Sequence, residues 1–251
     1  MSIIKSNIFS VISSGVLFTT LFVMNCVNLP AQPALKIYTD FGQNNVSQGM
    51  YIKSAALGSY KFGKNLVETG FQADLKNSNY SGFSGYTIIA SRNLTIKDMK
   101  FEIKGFYTWT TPSSILLETN WGTLLKMRHN HFEMAIGTNF RTFNLRQKTF
   151  LDNNIEKYST KIHEIYNLMY SFSYYLKPTD DIWNVGLSVT NIDHFVINQE
   201  TNPVFNLSGL YKVSSQVSLY AQTWYKFAGV TNLELNHFGF FFRTGIIWNI
   251  N

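Results

Sequence analysis

With 251 residues, the chain is long enough for one large β domain or two ordinary ones. Charged residues make up 14% and aromatics 16%, against about a quarter charged in an average soluble domain. Mean hydropathy is nevertheless −0.06, so Asn, Ser, Thr and Gly, rather than charge, dilute the apolar residues. The net charge of +6 comes from lysines and arginines scattered singly, with no basic cluster, which argues against a nucleic-acid partner. An alternating membrane barrel produces this combination, because only one face of each strand meets lipid. A β-rich sandwich is the alternative on composition alone.

The first segment, MSIIKSNIFSVISSGVLFTTLFVMNCVNLPAQ, sets the expected compartment. Lys5 precedes an apolar run from Ile8 to about Met24, and Leu29-Pro30-Ala31 follows before Gln32. That order reads as a cleavable secretion signal over 1–31, with the mature chain starting at Gln32. Cys26 is the one cysteine; Val23-Met24-Asn25 before it make a poor acylation motif, so it is expected to leave with the signal. The mature chain then has no disulfide or thiol chemistry.

About twelve segments of alternating apolar and polar residues follow, separated by turn residues. They begin at ALKIYTDFG, GMYIKSAALGSYKF, NLVETGFQADL and GFSGYTIIASRNL. They continue as MKFEIKGFYTWT, SILLETNWGTLLKMR, HFEMAIGTNFRTFNL and EIYNLMYSFSYYLK. IWNVGLSVTNIDHF, NPVFNLSGLYKV, VSLYAQTWYKFA and NHFGFFFRTGIIWNIN complete the series. Alternate gaps are tight (FGKN, TIKD, RHNH, KPTDD, VSSQ), whereas the others include QKTFLDNNIEKYSTK. Short turns on one side and longer loops on the other are the asymmetry of outer-membrane barrels. The predicted fold is therefore all-β, a closed antiparallel up-and-down transmembrane β-barrel of about twelve strands over residues 32–251.

Parity sorts the faces, because side chains of a strand alternate. In the last segment Phe238, Phe240, Phe242, Ile246, Trp248 and Ile250 share one face, and Arg243 lies on the other. Ile115, Leu117, Trp121 and Met127 oppose Glu118, Lys126 and Arg128; Phe132, Ile136 and Phe140 oppose Glu133 and Arg141. Phe101, Ile103, Tyr107 and Trp109 oppose Lys100, Glu102 and Lys104. Tyr166, Leu168, Tyr170, Phe172 and Tyr174 repeat the apolar side. The segments near 48–62 and 80–95 do not sort, so their register stays open. A sandwich would alternate equally; the aromatic faces and strands long enough to cross a bilayer favour the barrel. The lumen-lining charges are then Lys36, Asp40, Glu68, Asp74, Lys100, Glu102, Lys104, Glu118, Lys126, Arg128, Glu133, Arg141 and Arg243.

The signal, the cysteine-free strands and the apolar final strand resemble bacterial outer-membrane β-barrels. WNVGLSVTNI and LSGLYKVSSQVSLY, in the last third, are similar to strands of the Bacteroidota barrels of the type IX secretion (PorP/SprF) group. The first resemblance implies an outer-membrane location, contact with lipid and lipopolysaccharide, and insertion by the barrel-assembly machinery, which reads the last strand. The second implies protein partners in the envelope.

No enzyme chemistry stands out. His129 and His131 in RHNH are two apart but sit in a predicted turn with no third ligand, so no metal is expected. His163, Asn167 and Ser171 share the inward parity, the wrong side for a barrel phospholipase, without that family's motif. No nucleotide fingerprint appears, and no cofactor is expected. Three functions remain: a narrow passive channel for small hydrophilic solutes whose lumen charge sets selectivity, a non-conducting scaffold in an envelope complex, and, remotely, a hydrolase.

Overall fold

The computed structural model describes residues 31–44, 50–75, 83–111, 116–145, 161–178, 181–193, 198–226 and 239–250. Residues 1–30, where the sequence predicts a secretion signal, residues 146–160, His194 and His237 lie outside the described residues. Twelve strands form one closed barrel, in the unit Gln32–Asn251. They are β1 (Ala31–Asn44), β2 (Tyr51–Phe62), β3 (Asn65–Asp74) and β4 (Phe83–Ile96). Next come β5 (Met99–Thr110), β6 (Leu116–His129), β7 (Phe132–Leu145) and β8 (Lys161–Tyr175). The circuit ends with β9 (Trp183–Asp193), β10 (Asn198–Lys212), β11 (Val217–Lys226) and β12 (Gly239–Asn249). Each strand lies beside its sequence neighbours, and β12 closes the circuit on β1 from Ala34–Asn249 to Asn44–Gly239. All ladders are antiparallel.

Two-residue turns join β2 to β3, β4 to β5 and β6 to β7 at one end of the barrel, here called the turn end. Each opens with a left-handed residue: Gly63 (φ 57°), Lys97 (φ 53°) and Asn130 (φ 48°). Gly63 has no Cβ to clash there, and Asn130 is tolerated; Lys97 meets a steric cost of about 1–2 kcal/mol.

The distribution of side chains is that of a soluble protein turned inside out. Tyr166 is 81% exposed, Leu187 61% and Trp121 54%, all on the outer wall. Glu118, Glu133 and Arg243, each 5% exposed, point into the barrel. A water-facing sandwich reverses this, since an exposed apolar wall gains nothing in water and buried charges are costly. Aromatic rings gather near both ends of the wall. Trp121, Phe140 and Tyr166 pack in sequence across β6 to β8 with centroids 5.6 and 4.6 Å apart, and Tyr86 stacks on Trp109 at 5.6 Å. Phe132 meets Tyr174 edge-on at 5.3 Å near the turn end. Two aromatic girdles bounding an apolar band are the outer surface of a transmembrane barrel.

The two strands whose sequence pattern was ambiguous now have a register. On β2 the buried Ala55 and Leu57 point inward, and on β4 Gly85, Thr87, Ile89 and Ser91 do. The outward face of β2 holds Ser54, Ala56 and Gly58, too small to create a hydrophobic contrast. The β8–β9 ladder runs only from Ser171–Thr190 to Tyr175–Gly186. Beyond it the Asn191 amide replaces the missing backbone partner: Tyr170 N donates to its Oδ1 (2.7 Å), and its Nδ2 donates to Leu168 O (2.8 Å).

Candidate functional site

The interior is layered along the barrel axis. From the turn end, the inward positions of β5 read Lys100, Glu102, Lys104, Phe106, Thr108 and Thr110. Those of β6 read Arg128, Lys126, Leu124, Gly122, Asn120 and Glu118 in the same direction. Those of β7 read Glu133, Ala135, Gly137, Asn139 and Arg141. Charges thus lie near both ends with an apolar stretch between them.

In the turn-end layer, Glu133 is held by two cations, Lys126 Nζ at 3.0 Å and Arg128 Nη1 at 3.5 Å. The Arg128 guanidinium also lies over the Tyr175 ring, 4.4 Å from its centroid. Glu102 pairs with Lys104 at 3.3 Å, and Lys36 reaches past β2 to Glu68 at 2.6 Å. Lys100 is exposed at the rim. Among β5–β7, this layer therefore sets four cations (Lys100, Lys104, Lys126, Arg128) against two carboxylates (Glu102, Glu133).

The middle layer is apolar, and its side chains are buried. Ile89, Phe106, Leu124, Ala135, Met169 and Ile192 form one buried cluster, with Met169 at 0% exposure. Tyr38, Ala55, Leu57 and Tyr220 form a second, against which Leu210 and Ile247 pack. Inward side chains lining a wide aqueous pore would be wetted; these are not. The bulky members face glycines on the next strand: Leu57 opposes Gly70, Leu124 opposes Gly137, and both Tyr38 and Tyr220 oppose Gly245. Tyr175 opposes Gly186, where a Cβ would sit 2.7 Å from the tyrosine ring. A side chain can lie flat against the wall only where its neighbour has none, so these glycines are required by close approach.

The layer at the opposite end of the barrel, here called the loop end, is polar again. Glu118 binds Arg141 at 2.7 Å, Asn139 Nδ2 donates to Asn120 Oδ1 at 2.7 Å, and the Thr87 and Thr108 hydroxyls lie 3.2 Å apart. Across the closing seam, Arg243 Nε and Nη2 donate to the two Asp40 carboxylate oxygens at 2.6 and 2.9 Å. The same guanidinium lies 4.2 Å from the Tyr38 ring centroid and 5.0 Å from that of Trp224. This bidentate, ring-flanked pair is the geometry that favours Arg over Lys.

The sequence-derived lumen set therefore divides in three. Lys36, Glu68, Glu102, Lys104, Lys126, Arg128 and Glu133 meet in the turn-end layer, and Glu118, Arg141, Asp40 and Arg243 make two separate pairs in the loop-end layer. Lys100 stands exposed at the rim of the turn-end layer, and the Asp74 side chain lies outside the described residues. Phe106, Leu124 and Met169 share the inward parity of those charges and belong to the apolar cluster between the two layers. His163 and Ser171 are eight residues apart on β8, about 26 Å along a strand, too far to share a proton. His129 ends β6 and His131 lies in the β6–β7 turn, where its Nδ1 is 2.8 Å from Tyr175 O.

No family model matches the sequence, and no curated protein matches it. Solved structures of similar fold include the KdgM porin, 14% identical, with 86% of this chain and 99% of that one covered at a TM-score of 0.49. The NanC porin is 10% identical, with 85% and 100% covered and a TM-score of 0.47. Outer membrane phospholipase A from Escherichia coli is 11% identical, with 85% and 90% covered and a TM-score of 0.43. These are bacterial outer-membrane β-barrels. At such identities the likeness is one of fold, and because it spans porins and an enzyme it does not choose a function.

Proposed function

We propose that the protein is a bacterial outer-membrane barrel acting as a narrow passive channel for small hydrophilic solutes, held closed at rest by an apolar gate. The observation that carries this reading is the layering: charged side chains at both ends of the lumen, and a water-excluding belt of Phe106, Leu124, Met169 and their neighbours between them. Apolar constrictions gate pores by dewetting, while charged vestibules on either side select and concentrate ions. On this reading residues 1–31 are a secretion signal, the turn end faces the periplasm, and the assembly machinery inserts the chain through β12. The protein has no catalytic role.

The test is conductance in planar bilayers. Wild-type protein should be nearly silent, and Leu124→Ser with Met169→Ser should conduct, provided both run as folded, heat-modifiable barrels on gels. The non-conducting scaffold in an envelope or type IX secretion complex is the second reading. It is favoured by the pairing of Glu68, Glu102, Glu118 and Glu133 into ion pairs. If the folded belt variant conducts no better than wild type, and partners co-purify after mild extraction, the scaffold replaces the channel.

A further inference from the structure

The outer wall is not evenly convex. A cavity of about 700 Å³ is sunk into it across β7 to β12, within the roughly 300–1,000 Å³ range of small-molecule sites. One cross-strand row of outward side chains lines it: Met134, Phe172, Val189, Phe205, Tyr225 and Phe240, each paired in register with the next. A parallel row carries Phe132, Tyr174, Leu187 and Leu207. The wall between them holds Glu133, Ser173, Ser188, Asn206 and Trp224, which point inward.

The trough has a direction. It starts near the turn end on β7 and climbs toward the loop end on β12. Six strands spaced about 4.8 Å apart make it about 24 Å long. With strands tilted by about 40°, it rises about 15 Å, half of a hydrocarbon core about 30 Å thick. Its lower end meets groups suited to a headgroup. His131 stacks on Tyr174 with centroids 5.9 Å apart, and Lys177 Nζ lies over the Trp183 ring at 3.9 Å. Lys177 is opposed only weakly, by the half-exposed Asp181 at 3.5 Å. An aromatic and a cation beyond the end of an apolar trough complement the ester and phosphate region of a lipid.

We infer that this trough is a phospholipid site: one acyl chain lies obliquely across β8 to β11, and the phosphate meets Lys177 at the turn end. The inference rests on the membrane-barrel reading but not on conduction. Unlike general solvation by lipid, it requires a fixed stoichiometry and sensitivity to single residues at the trough.

Full-length mature protein extracted in mild detergent should be mixed with palmitoyl-oleoyl phosphatidylglycerol and examined by native mass spectrometry. Wild type should keep one lipid. Val189→Trp, which fills the trough, should weaken retention at least tenfold, and Lys177→Glu should weaken it severalfold. Ile103→Trp, on the outer wall of β5, should change nothing. Equal retention by Val189→Trp and wild type overturns the site. So does a loss of dimer in Val189→Trp, because the occupant is then a second copy of the chain. Failure of wild type to enter liposomes refutes the membrane reading instead.

Discussion

Arg243 and Asp40 join the first strand to the last, so removing one of them should loosen the barrel where it closes. Arg243 is 5% exposed and Asp40 9%, and they share two hydrogen bonds. Arg243→Met keeps most of the stem's volume but deprives a buried carboxylate of its bidentate partner, a loss worth about 3–5 kcal/mol. The ring contacts to Tyr38 and Trp224 add about 0.5–2 kcal/mol. Asp40→Asn should cost a comparable amount, because the arginine is then buried without its counter-charge. The double variant should be much less destabilised than the sum, since removing both charges of a buried pair is often close to neutral.

The assay is urea unfolding in lipid vesicles, followed by tryptophan fluorescence and gel mobility. Asp181→Asn is the internal control: its pair with Lys177 is exposed, and such pairs are worth about 0–1 kcal/mol. If Arg243→Met costs no more than Asp181→Asn, or if the two seam substitutions simply add, the seam pair does not hold the barrel closed.

Three further outcomes are expected. Residues 32–251 contain no cysteine, so single cysteines at Glu118, Arg128, Arg141 and Arg243 should be shielded from lipid-soluble maleimides, and those at Trp121, Phe140, Tyr170 and Phe240 should react with them in vesicles; the reverse pattern would turn the barrel inside out. Gly186→Leu should displace the Tyr175 ring and destabilise the barrel by about 1–3 kcal/mol, the usual cost of overpacking, as read by urea midpoint. In a conducting variant the turn-end excess of cations should favour anions at low salt; Arg128→Gln should reduce that preference, and Arg141→Gln should hardly change it because Glu118 already balances Arg141.

Parity carried most of the outer wall because lipid makes a strict demand: a charge on that face costs about 2–4 kcal/mol at midplane, so the face turned to lipid is kept free of charge. The interior makes no such demand. Lys104, Phe106 and Thr108 occupy successive inward positions of one strand, and nothing in their order says which will be wetted. What decides it is the cross-strand neighbour. Phe106 is opposite Gly122 and Leu124 is opposite Gly137, and a bulky side chain above a glycine can fold down and seal against the wall. Ion pairing is equally a matter of register. Lys36 and Glu68 are two strands apart, and their contact at 2.6 Å exists only because the stagger of β1, β2 and β3 brings them to one height. Where a strand offers little contrast, as in Ser54, Ala56 and Gly58 of β2, even the outer wall falls silent, and the register must come from Leu57 lying over Gly70. The belt is therefore a property of neighbouring strands taken in pairs. A sequence read one strand at a time finds the charges that would line a pore and passes over the glycines that let it close.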